Sequence, residues 1–152
     1  MADGKRAIDA MIQRFGDRVR HGGEHQGQHW CTLDAENLLE IAAWLRDEPE
    51  MDYRYLVDVT GAHFPDETPP MEMIYHLYSH KHDDYLRIKL RTGDEGPVPS
   101  LSSVWKSADW NERETYDMFG IRFDGHPDLR RILMPDDYTD FPLRKELPLF
   151  RG

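Results

Sequence analysis

Only one cysteine, Cys31, stands in 152 residues. A disulfide within the chain is thereby excluded, as is an iron–sulfur cluster ligated by this chain's own cysteines, which takes several thiolates. Beside Trp30 and Leu33, a lone Cys is expected as a small buried apolar residue. Long hydrophobic runs are also missing. A membrane-spanning helix takes ~20 apolar residues, and the longest candidate, Leu38 to Leu45, is broken by Glu40. The first residues carry acids early and no apolar core segment, so neither a secretory nor a mitochondrial presequence is evident, and a reducing cytoplasm is expected. Positive charge is in deficit, with 19 Lys and Arg against 29 Asp and Glu and a net charge of −10. So acidic a body repels nucleic-acid phosphates and anionic lipid alike. There is no phosphate-cradling glycine loop, since Asp94-Glu95-Gly96 lacks the spacing of a nucleotide fingerprint. Nor is there a serine elbow, a supported Cys/His nucleophile pair, an internal repeat or a flexible linker.

What remains has the length of one domain and an ordinary balance, 32% charged and 39% hydrophobic. Ile8, Met11, Ile12 and Phe15 recur at i, i+3, i+4 and i+7 and predict an amphipathic helix over 4–15, closed by Gly16. In the following HGGEHQGQH, His21, His25 and His29 have the four-residue spacing of helical metal ligands. Gly22, Gly23 and Gly27 argue against a helix, so a solvated turn is expected there. Trp30 to Leu33 is a short strand candidate. Asp34 is placed to cap a second helix with the stripe Leu38, Ile41, Ala42 and Leu45, and Pro49 lies just past its end.

Strand-forming side chains fill Tyr53 to Thr60, Met71 to Tyr78 and Tyr85 to Arg91. In the last, Leu86, Ile88 and Leu90 alternate with Arg87, Lys89 and Arg91, the pattern of a sheet with one wet face. His80, His82, Asp83 and Asp84 between the last two are expected as a polar hairpin loop ahead of a metal site. Residues 61–70 and 93–100 read as loops, and Leu101 to Lys106 as a last strand. The expected fold is α+β, a mainly antiparallel sheet with helices on one face, over residues 1–120. Residues 121–152 are expected as an extended, proline-punctuated C-terminal segment that binds a partner.

The stretch Asp109 to Lys145 is unlike the rest. Asp109 and Glu112 have the spacing of a capping box, worth about 1 kcal/mol, and Gly120 suits the left-handed end of a helix. That helix has no clean apolar stripe. Trp110, Arg113, Glu114 and Asp117 share one side; Glu112, Tyr116 and Phe119 share the other. Beyond it, Pro127, Pro135, Pro142 and Pro148 block helix and central strand. Yet Ile121, Phe123, Leu129, Ile132, Leu133, Met134, Phe141 and Leu143 carry too much apolar surface for a disordered tail. The segment must fold along something, its own domain or a neighbouring protein, with the neighbour the favoured expectation.

Glu112, Glu114, Asp117, His126 and Asp128 could serve a small metal-dependent hydrolase as acid, base or ligands. A charge network with Arg113, Arg130 and Arg131 accounts for them better, because Arg113 stands four residues before Asp117 and guanidinium–carboxylate forks suit interfaces.

Glu-Arg-Glu-Thr-Tyr-Asp-Met-Phe-Gly, then His-Pro-Asp-Leu-Arg-Arg-Ile-Leu, then Pro-Leu-Arg-Lys resembles the C-type, 30 kDa subunit of respiratory NADH:quinone oxidoreductase, complex I of the respiratory chain. Phe141 and Glu146 depart from the family, which often has histidine before and aspartate after the Pro-Leu-Arg-Lys run. The resemblance implies a hydrophilic subunit, peripheral on the cytoplasmic side of the cell inner membrane. It implies no redox cofactor in this chain, with FMN and iron–sulfur clusters in partner subunits. The partners implied are the large D-type subunit of the quinone site and the cluster-bearing B- and I-type subunits. A related subunit occurs in membrane-bound energy-converting hydrogenases, and the residues here do not separate the two. The residues expected at the docking surface are Glu112, Arg113, Glu114, Asp117, His126, Asp128, Arg130, Arg131, Arg144 and Lys145.

Overall fold

The computed structural model describes residues 4–135, 137–138 and 140–144. The first helix, α1 (Lys5–Phe15), buries Ala7, Ile8, Met11 and Phe15 on its inner side. It starts at Gly4, whose φ of +87° favours glycine and whose N–H donates to Asp84 Oδ1 at 2.9 Å. Strands β1 (Val19–His25) and β2 (Gln28–Leu33) then form an antiparallel hairpin. Gln26 and Gly27 both take positive φ, as a two-residue hairpin turn demands. The stretch read as a solvated turn is therefore mostly strand. Its glycines have a packing reason: a Cβ on Gly22 would lie 2.3 Å from Trp30 Nε1, and one on Gly23 2.7 Å from the same ring. The indole lies over bare backbone, and Lys89 Nζ sits 4.1 Å from its centre.

Helix α2 (Ala35–Asp47) buries Leu38, Ile41, Ala42 and Leu45, the stripe its periodicity predicts. Asp34 stands at its N-cap without a side-chain cap bond; its carboxylate meets Arg20 at 3.2 Å instead. Strands β3 (Tyr55–His63), β4 (Met71–Ser79) and β5 (Asp84–Thr92) complete a five-stranded sheet of order β1-β2-β5-β4-β3. All pairs are antiparallel except β2–β5, which run parallel through Trp30–Arg87, Cys31–Ile88 and Thr32–Lys89. The expected α+β class holds, with a mixed sheet. Met71, Met73, Tyr75 and Leu77 alternate inward on β4, opposite Leu90, Ile88 and Leu86 on β5. Burying each such side chain contributes about 1.5–3 kcal/mol. The other face is wet, as the alternation on β5 implies. There Arg87 Nε donates to His76 Nε2 (2.9 Å), so Nδ1 carries the proton that His76 gives to Asp58 Oδ1 (2.6 Å).

After β5 two expectations change. Leu101 to Lys106 is a set of turns, not a strand: Val104 and Trp105 N–H both return to the Leu101 carbonyl, and Trp105 Nε1 donates to the Tyr53 carbonyl. Strand β6 (Val98–Pro99) lies inside the expected loop and pairs in parallel with β7 (Phe123–Asp124) across the helix α3 (Ser107–Phe119). Ile121 and Phe123 are buried in the core. The division expected at residue 120 is thus bridged by a strand pair.

Candidate docking surface

Helix α3 turns Ala108, Glu112, Thr115 and Phe119 inward at helical spacing. Two of these four are polar, which is why no apolar stripe is visible in the sequence. The helix begins at Ser107, two residues before the expected cap, so Asp109 lies in its first turn and Glu112 is free to face the core. The Glu112 carboxylate accepts the Ser100 hydroxyl (2.6 Å) and the Leu101 N–H (2.7 Å). Burial pushes it up to about 7 from 4.5, against the pull of those two donors. Thr115 Oγ1 shares its one proton between the Asn111 carbonyl of its own helix (3.0 Å) and the Val59 carbonyl (3.2 Å), and Ser107 Oγ donates to the Leu56 carbonyl at 2.9 Å. These bonds fix α3 along β3.

Asp117 is buried too, but not beside Glu112. Its Oδ2 accepts the backbone N–H groups of Ile132, Leu133 and Met134, and its Oδ1 pairs with Arg131 at 2.7 Å. Burial pushes the carboxyl up, yet the Met134 N–H, the Arg131 guanidinium and the Leu133 and Ile132 N–H groups outweigh it and hold it below the usual carboxylate range. Arg131 also donates to the Asp117 and Asp140 carbonyls and lies over Phe141, 4.7 Å from its ring centre. Leu143 N–H reaches the Met118 carbonyl, and Arg144 the carbonyls of Phe119 and Asp94. The last carbonyls of α3, at 117, 118 and 119, are thus satisfied by Arg131, Leu143 and Arg144. Arg131 to Met134, Phe141, Leu143 and Arg144 thus lie against their own domain. Lys145 lies outside the described residues.

His126 Nδ1 accepts the Asp128 N–H (3.0 Å), so Nε2 carries the proton, 3.0 Å from the Asp109 carbonyl. This ties the segment to the first turn of α3. Glu112, Asp117, His126, Arg131 and Arg144 therefore all have partners within the chain. Of the other expected docking residues, Arg113, Glu114, Asp128 and Arg130 stand more open. Arg113 stands 5.7 Å from the Trp110 ring and donates to the Arg130 carbonyl, Arg130 pairs with Asp128 at 3.0 Å in the open, and Glu114 is exposed. Trp110 and Leu133 are each 55% exposed. Glu112 and Asp117 are separated by the helix itself, so the acids do not converge on a cleft as a hydrolase requires. Among the described residues, no three His, Cys, Asp or Glu side chains are grouped to hold a metal.

The family model described as the 30 kDa subunit of respiratory-chain NADH dehydrogenase matches residues 31–151. The chain belongs to that family. The match runs from the second half of β2 through β7 and takes in the donors around Asp117. One of the C-type subunits of NADH-quinone oxidoreductase from Rhizobium etli, the second of that organism, is 44% identical over 140 residues, 91% of this chain and 74% of its own. The C-type subunit from Citrifermentans bemidjiense is 41% identical over 150 residues, 98% of this chain and 92% of its own. Among solved structures, the trypsin-resistant fragment of Nqo5 superposes with a TM-score of 0.69 at 25% identity, over 82% of this chain and 98% of that one. A chain of the membrane-bound sulfane sulfur reductase, an archaeal respiratory membrane complex, reaches a TM-score of 0.77 at 19% identity, over 95% of this chain and 85% of that one, and so shares the fold. For a 30 kDa-type subunit, the sequence motif Glu112 to Gly120 has a structural meaning: it is the helix whose two buried acids fasten the chain to itself on either side.

Proposed function

We propose that this chain serves as the C-type subunit of a proton-translocating NADH:quinone oxidoreductase and contributes geometry, not chemistry. Electron transfer and quinone reduction require cofactors at fixed separations, and a rigid wedge between neighbouring subunits maintains them. The observation that carries the reading is the contrast around α3. Glu112, Asp117, His126 and Arg131 are matched within the chain, while Trp110, Arg113, Arg130 and Leu133 are left on the outside. Tryptophan and arginine anchor interfaces, because they bring large contact area and directional donors together. The neighbours proposed are the D-type subunit of the quinone site and the B- and I-type subunits, which hold iron–sulfur clusters, with FMN elsewhere in the complex. No helix among the described residues is long and apolar enough to cross a membrane; the attachment proposed is through the complex, on the cytoplasmic side of the inner membrane.

The paired substitution Trp110→Ala with Arg113→Ala is expected to lower the assembled complex several-fold on native gels. Cofactor content per assembled complex should not change. Full assembly accompanied by loss of quinone reduction would instead assign a catalytic role to this surface.

A further inference from the structure

We infer that the groove between α3 and the edge strand β3 receives a short extended segment of a neighbouring subunit, with a large apolar side chain flanked by Lys or Arg. This rests on the reading of the chain as a subunit. Strand β3 ends the sheet, so nothing among the described residues pairs with its outer edge. Along that edge Asn111, Glu114, Thr115, Met118 and Phe119 form one stripe of α3 facing Asp58 to Gly61, enclosing about 330 Å³. The helical stripe is about 12 Å long at ~1.5 Å per residue and the strand portion about 10 Å at ~3.3 Å per residue. Three or four residues of extended chain match that length.

The floor is apolar, made by Val59, Met118 and Phe119, with Leu143 standing 53% exposed at one rim. The Ser107 hydroxyl already occupies the Leu56 carbonyl, and the Thr115 hydroxyl, shared with Asn111, reaches the Val59 carbonyl. Backbone direction alternates along a strand, so Gly61 turns its N–H and C=O to the same open edge as Val59. An incoming strand can pair there, as edge strands commonly allow.

Charge selects the occupant. Asp58 and Glu114 both line the groove. Asp58 already holds His76, but Glu114 is exposed and no cation among the described residues pairs with it. The chain carries ten net negative charges, so a second copy would bring acid against acid, whereas a Lys or Arg beside an apolar anchor answers both features.

The test uses the assembled complex, carrying a photo-crosslinking benzoylphenylalanine at Leu143, with the crosslinked peptide identified by mass spectrometry. The expected product is one peptide of a companion subunit, apolar and flanked by Lys or Arg. Glu114→Lys, on an exposed position, should cut its yield at least tenfold, and reversing the partner's cation to Glu should restore it. A crosslink only to a second copy, only to an acidic segment, or none at all within an assembled complex would overturn the groove assignment alone. Absence of this chain from the complex would overturn the subunit reading as well.

Discussion

Four donors converge on the Asp117 carboxylate, and the side chain is buried. Removing one member of a buried pair strands the other, at about 3–5 kcal/mol. Asp117→Asn is therefore expected to lower the urea midpoint sharply and to open residues 130–144 to protease, read by limited proteolysis. Acidity should act in the same direction. The folded state holds this carboxyl below its ordinary range, so its contribution is present at neutral pH and is lost as pH falls through the lowered value. Glu112 has the opposite sign. Its folded value is lifted to about 7, so its contribution is complete below its ordinary value and fades as pH rises through about 7. Glu112→Gln should flatten the slope of unfolding free energy between about pH 4.5 and 7, measured by urea titration at each pH. An unchanged slope would show that another group governs it. One helix thus carries two acids that respond to pH in contrary directions.

The elements show which signals a sequence carries openly. Helices α1 and α2 and strand β5 follow apolar periods that name their buried residues, and the strand-forming side chains of β4 mark it as a strand. Strand β1 was hidden because His, Gly and Glu fill it; its side chains matter less than the indole laid over Gly22 and Gly23. Ala at either glycine should lower thermal stability and shift Trp30 fluorescence, because the ring must move. Trp30→Ala in the same chain should remove most of the further loss. The inward stripe of α3 was hidden for another reason: Glu112 and Thr115 occupy core positions through hydrogen bonds, which a hydrophobic count cannot register. Its stop at Gly120 was legible, and the structure adds a second constraint. Gly120 has φ of +80°, and a Cβ there would fall 2.7 Å from the Phe141 ring. Gly120→Ala should cost on the order of 1–3 kcal/mol by thermal unfolding. Adding Phe141→Ala should relieve only the steric part.

For the whole molecule, the sequence strings the charged candidates along one helix and the segment after it, but their division between inside and outside was not legible. That division depends on Arg131 to Met134, Phe141, Leu143 and Arg144 closing over α3, a contact between parts of the chain that no local period encodes. The sheet likewise unites two separately continuous pieces, the β1–β2 hairpin and the β3–β4–β5 meander. Only the parallel joint of β2 with β5 holds one to the other within the sheet, and Cys31 sits at its centre, opposite Ile88. The thiol is fully buried, and burial pushes it up to about 12. It cannot meet an alkylating reagent while the seam is shut. Its labelling rate in native buffer is thus a clock for the parting of the two halves, and entry into the larger assembly should slow that clock if neighbours brace the seam.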